Sequence, residues 1–109
     1  MWLAAAAALG LGCDETLIGT GQTADAYVTT QSTSFSPTLV TIRAGQTVLF
    51  AFGSGTHNVV FDEATGAPAG CPLTSAGTCI RQFPTAGTYT FFCTPHVGVG
   101  MEGAVVVNP

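Results

Sequence analysis

Gly87-Thr88-Tyr89-Thr90-Phe91-Phe92-Cys93, running straight on into Thr94-Pro95-His96-Val97-Gly98-Val99-Gly100-Met101, is the stretch that settles how this chain reads. Its first half alternates. Side chains at i and i+2 share one face of a strand, so Tyr89, Phe91 and Cys93 line up against Thr88, Thr90 and Phe92. The aromatic and β-branched content suits a pleated, half-buried strand. In the second half Pro95 and the glycines end the pattern and open a loop. A thiol thus reaches the inward face at the end of a strand, and an imidazole and a thioether follow it on one short loop.

The same parity extends upstream. Tyr27-Val28-Thr29-Thr30 opens a strand that Phe35-Ser36-Pro37 breaks, because proline donates nothing to a ladder. Thr38 to Arg43 carries Val40 and Ile42 on one face, and Ala44-Gly45-Gln46 turns the chain. Thr47 to Phe52 places Val48, Phe50 and Phe52 together. After the Gly53-Ser54-Gly55-Thr56 loop, His57 falls in with Val59 and Phe61, while Asn58, Val60 and Asp62 take the other face. His57 is expected to point into the core. Residues 63–80, rich in Gly, Pro, Ala and Thr, read as one long loop; Arg81-Gln82-Phe83 reads as a short strand, and Gly103 to Asn108 as the last one. About seven or eight short strands with frequent turns and no helical period predict an all-β antiparallel sandwich or barrel.

Composition narrows the function classes. The chain has 109 residues, which bounds it to one domain. Arg43 and Arg81 are its only basic residues against six acidic ones, for a net charge of −4. No basic cluster is available to neutralise phosphates, so no nucleic-acid partner is expected. The acidic residues are scattered and form no patch in the sequence. No apolar run reaches the roughly 18–20 residues of a membrane span.

Residues 1–12, Met-Trp-Leu-Ala-Ala-Ala-Ala-Ala-Leu-Gly-Leu-Gly, read as the apolar part of an export signal. Cys13 follows small residues, as in a bacterial lipoprotein signal, where the cysteine becomes the lipid-bearing first residue. The alternative is an ordinary cleaved signal with Cys13 incidental. Residues 13–24 lack periodicity and read as a tether, with the domain over 25–109. The expected location is therefore exported: periplasm or cell envelope, with any membrane contact through the lipid. Disulfides persist there. Cys71 and Cys79 flank a loop short enough to close, which leaves Cys93 unpaired if Cys13 is lipidated. A Cys13–Cys93 bond, or another pairing, is the alternative.

Each metal-competent residue has an ordinary explanation taken alone. A histidine is more often structural, a buried cysteine acts as a small hydrophobe, and a methionine fills gaps. Jointly, Cys-x2-His-x4-Met with one core-facing histidine upstream, and no further histidine in the chain, is far harder to explain as packing. Thiolate, thioether and imidazole donors suit copper better than calcium or magnesium, and a blue-copper site takes two histidines and a cysteine with a weak axial methionine. The expected donors are His57, Cys93, His96 and Met101, around one copper ion. Four protein donors leave no position for substrate, so catalysis is not expected. The leading reading is single-electron transfer. The competing ones are a copper carrier that hands metal to an oxidase, and an interaction module for which copper does not matter.

These residues resemble the cupredoxins, the small blue copper proteins, and most closely their plastocyanin-like branch. The resemblance is carried by Phe35-Ser36-Pro37 through Ile42-Arg43-Ala44-Gly45-Gln46-Thr47-Val48, by His57-Asn58-Val59-Val60-Phe61-Asp62, and by Gly87 to His96 with Gly100-Met101 and Gly103. It implies a Greek-key β-sandwich with one copper at its loop-rich end. It further implies a hydrogen bond from Asn58 to the loop near Cys93. Pro95 to Gly98, uncharged, would present His96 to redox proteins that dock transiently on an apolar face of a monomer. Phe92 stands where plastocyanins commonly carry a tyrosine, and the Cys71–Cys79 loop is outside their usual pattern. These departures bear on the partner and leave the copper site untouched.

Overall fold

Along Leu39–Arg43, Val40 and Ile42 are buried and their neighbours exposed, the pattern a strand shows when one face packs on a core. In a computed structural model of the chain, which describes residues 17–18 and 22–109, strands of this kind make up nearly the whole fold. In chain order they are β1 (Leu17–Ile18), β2 (Gln22–Thr23), β3 (Ala26–Gln31), β4 (Ser34–Ser36), β5 (Leu39–Arg43) and β6 (Thr47–Ala51). Then follow β7 (His57–Phe61), β8 (Cys71–Thr74), β9 (Thr78–Gln82), β10 (Gly87–Phe92) and β11 (Glu102–Asn108). A 3₁₀ segment, Thr94–Val99, sits between the last two.

Nine of these strands form two sheets, ordered β9-β6-β3-β4 and β5-β11-β10-β7-β8, while β1 and β2 pair as a separate ribbon. The pairings are antiparallel except β3 with β6 and β5 with β11. The expected all-β sandwich is what forms. Sheets pack because each buries one apolar face. Between them Phe91 meets Phe35, Phe50 and Phe61 edge-on, with ring centroids 4.8, 5.4 and 6.0 Å apart. Those spacings fall in the range where the positive ring edge meets the negative face. Phe61 extends the cluster to Phe83 at 5.6 Å. Leu49, on the opposite side of β6 from Phe50, is also fully buried.

One region departs from the sequence reading. Residues 63–80 contain β8 where a single loop is expected, and the strand read at Arg81–Phe83 is β9, which begins earlier, at Thr78, and ends at Gln82. Long-range pairing decides this. Cys79 and Ile80 lie opposite Phe50 and Leu49, and Cys71 lies opposite Val59. Pro72 is tolerated because β8 is the edge of its sheet. A Cys71–Cys79 disulfide joins β8 of one sheet to β9 of the other.

Candidate metal centre

His57 opens β7 and Cys93 follows the end of β10; these strands are antiparallel neighbours, so both side chains emerge at one end of the sandwich. Both are 0% exposed. A backbone carbonyl can only accept, so the 2.7 Å contact between His57 Nε2 and the Ser54 carbonyl means that Nε2 carries the proton. Nδ1 is then the free nitrogen, and it lies 3.8 Å from Cys93 Sγ. The turn that offers this carbonyl needs Gly55. Its φ is +89°, and a Cβ there would stand 3.2 Å from His57 Nε2.

The other candidates come from the loop between β10 and β11. The His96 N–H donates to the Cys93 carbonyl at 3.2 Å, the Met101 N–H to the His96 carbonyl at 3.3 Å, and the Cys93 N–H to the Met101 carbonyl at 3.1 Å. This closed circuit fixes all three residues relative to one another. His96 Nδ1 lies 3.6 Å from Cys93 Sγ, and the two imidazole rings are 5.0 Å apart. Met101 is 0% exposed, whereas His96 is only half-buried. Pro95 lies in the first turn of the 3₁₀ segment.

The residues present fit a first-row metal ion. Bonds of about 2.0 Å to nitrogen and 2.3 Å to sulfur, opened at trigonal or tetrahedral angles, hold the two donors about 3.5–3.7 Å apart. The 3.6 Å separation from His96 Nδ1 falls inside that range and the 3.8 Å separation from His57 Nδ1 just beyond its upper end. All three candidate donor atoms lie within 4.8 Å of one another. The set of thiolate, two imidazoles and a buried thioether nearby is chemically that of copper. Among the described residues Cys93 is the free cysteine, as a thiolate donor must be.

The two segments are braced together. Asn58 Nδ2 donates to Thr94 Oγ1 at 3.0 Å, and the Thr94 N–H donates to Asn58 Oδ1 at 2.9 Å. One side chain beside His57 thus closes a ring of hydrogen bonds with the residue after Cys93. The sequence reading missed Thr94 and the Ser54 carbonyl. Thr94 could have been found, since a hydroxyl beside the metal-competent cysteine offers Asn58 a partner. A backbone carbonyl leaves no mark in the sequence. Cys13 and the apolar stretch 1–12 lie outside the described residues.

The family model for "Copper binding proteins, plastocyanin/azurin family" matches residues 22–108. The chain belongs to the plastocyanin/azurin family. It is a blue copper electron carrier holding one copper ion. A plastocyanin from Scenedesmus fuscus is 43% identical over 84 residues, covering 68% of this chain and 86% of that protein. A Ginkgo biloba plastocyanin is 36% identical over 88 residues, or 69% and 88% of the two chains. Among solved structures, the oxidised plastocyanin of Dryopteris crassirhizoma superposes with a TM-score of 0.67 at 33% identity, covering 75% of this chain and 99% of that one. Amicyanin from Paracoccus versutus gives a TM-score of 0.67 at 31% identity, with coverages of 77% and 82%.

Proposed function

We propose that His57 Nδ1, Cys93 Sγ and His96 Nδ1 hold the copper, with Met101 as a weaker fourth donor, and that electrons pass through His96. When bound, the copper supplies one-electron cycling between Cu(II) and Cu(I). The chain's part is to keep the donors still. His57 is pinned through Ser54, Cys93 and Met101 through their shared backbone hydrogen bond, and the two segments through Asn58 and Thr94. The observation that carries the reading is a buried, unpaired Cys93 facing the Nδ1 atoms of both histidines.

Exposure supports this exit. His57, Cys93 and Met101 are wholly buried, and His96 is the candidate donor that reaches the surface. Beside it Val97 and Val99 are 54% and 68% exposed. The segments 53–58, 74–78 and 94–101 contain no Asp, Glu, Lys or Arg. A redox protein therefore meets an apolar, uncharged face, suited to a small and short-lived contact. With every donor position filled by protein, substrate has no place on the metal, which argues against catalysis. The same burial disfavours a copper carrier, which needs donors a recipient can reach.

We also read residues 1–12 as an export signal, 13–24 as a tether with Cys13 as the lipid attachment point, and 25–109 as a monomeric domain in the periplasm or cell envelope. The Cys71–Cys79 bond supports an oxidising compartment. Mass spectrometry of the mature N-terminus checks the anchor. For the site, apoprotein is titrated with Cu(II). An intense blue thiolate charge-transfer band, lost in Cys93→Ser, is expected; a colourless copper complex would falsify the assignment.

A further inference from the structure

Among the described residues three polar side chains are buried: His57, Asn58 and Thr30. Two belong to the metal centre. Thr30, 6% exposed on β3 in the opposite sheet, calls for an account of its own.

Strands β3 and β6 run parallel, and their last paired residues are Thr29 and Ala51. Beyond Ala51 the chain leaves the sheet to form the turn before His57. There the Gly53 N–H donates to Thr30 Oγ1 at 2.8 Å, so a side-chain hydroxyl continues the ladder after the backbone has departed. The turn lies hard against β3. A Cβ on Gly53 would sit 3.2 Å from the Thr30 carbonyl oxygen. From the other side the Phe52 N–H donates to the Gly77 carbonyl at 2.9 Å, inside the loop closed by Cys71–Cys79. The residue after Gly53 is Ser54, whose carbonyl accepts from His57 Nε2.

We propose that Thr30 is a positioning residue for the copper site, acting through the Gly53–Ser54 peptide to set the His57 tautomer that leaves Nδ1 facing Cys93. The proposal rests on His57 being a donor. Its logic is that a neutral imidazole carries one proton, and the hydrogen bond made by one nitrogen decides what the other can do. With the Ser54 carbonyl in place the proton sits on Nε2. If the hydroxyl is lost, the Gly53 N–H faces a methyl group on the side of the buried Thr30 and loses its protein partner; because Gly53 itself is exposed, the turn is free to swing that N–H outward to water. The Ser54 carbonyl moves with it. The ring then also populates the tautomer with Nδ1–H directed at Cys93, which cannot donate to a metal.

The test compares Thr30→Val, which keeps the shape and removes the hydroxyl, with Thr30→Ser, which keeps the hydroxyl. Long-range proton–nitrogen NMR of the metal-free proteins, at mildly alkaline pH, reports which His57 nitrogen is protonated. Wild type and Thr30→Ser are expected to show Nε2–H alone, and Thr30→Val a mixture. Competition with a chromophoric Cu(I) chelator should show about 10-fold weaker binding in Thr30→Val, with Thr30→Ser near wild type. Should Thr30→Val fail to fold by near-ultraviolet circular dichroism, Thr30→Ala serves with the same expectation. Wild-type tautomer and affinity in the hydroxyl-free variant overturn the proposal. So does equal impairment of the serine variant, which would make Thr30 a packing residue. The tautomer measurement involves no copper. A wild-type protein that fails to turn blue would sink the copper assignment and leave this result standing on its own.

Discussion

Reducing the Cys71–Cys79 bond in the metal-free protein isolates the contribution of a single crosslink, because no side chain has to be replaced to remove it. The two cysteines are 8 residues apart. In the chain-entropy model, closing a loop of that length removes enough freedom from the unfolded chain to stabilise the fold by about 2.5 kcal/mol at 25 °C. For a domain of this size that corresponds to a fall in Tm of roughly 10–20 °C on reduction. Urea unfolding with and without a phosphine reductant, followed by circular dichroism, is the assay. Copper must be absent, since a ligand that binds only the folded state adds stability by mass action and masks the change. The m-value should also rise, because an unlinked chain exposes more surface when it unfolds. A loss of less than about 1 kcal/mol, or an unchanged m-value, would refute the entropic account. The bond would then serve chiefly to place Gly77 against Phe52.

Other perturbations give separate checks. Asn58→Ala removes both hydrogen bonds to Thr94 and should cost about 2 kcal/mol in urea unfolding of the metal-free protein. Chelator competition should show copper held about 10- to 100-fold less tightly in the same variant. Phe91→Ala empties the centre of the edge-to-face cluster and should cost about 3–5 kcal/mol by the same unfolding assay, with the blue band kept wherever the variant folds. If the uncharged end of the sandwich is the docking face, electron self-exchange measured by NMR line broadening should hardly change between low and high salt, as screening acts on charges. Val97→Asp with Val99→Asp should slow that exchange and make it salt-dependent without altering the absorption spectrum.

What the sequence revealed, and what it hid, follows from how local each signal was. The inward aim of His57 and Cys93 needs only the two-residue period of a strand, and both are buried as that parity requires. The sandwich follows from repeated alternation in the same way. β8 and the first residues of β9 escaped notice because Pro72 and a polar Thr74–Thr78 stretch resemble loop chemistry; partners far along the chain, Val59 and Phe50, make them strands. Propensity is weakest where such tertiary pairing decides. Within the metal centre the side chains could be read, but the groups that aim them could not all be. The Ser54 carbonyl belongs to the backbone, and the hydroxyl of Thr30 matters only because β6 departs from β3 one residue earlier.

The place of β11 has a consequence for how the protein is made. It is the last of the described strands in chain order, yet it lies between β5 and β10, so β5 cannot join its sheet until that strand exists. During synthesis from the N-terminus, His57, Cys93 and His96 all emerge before Glu102–Asn108. The candidate donors therefore exist for a time on a chain that has not yet brought them to their final spacing. Metal capture in the final geometry has to wait for the closing strand, and an early arrival of copper would meet a nascent thiol and imidazoles without a cage. Loading after folding is the order this topology favours.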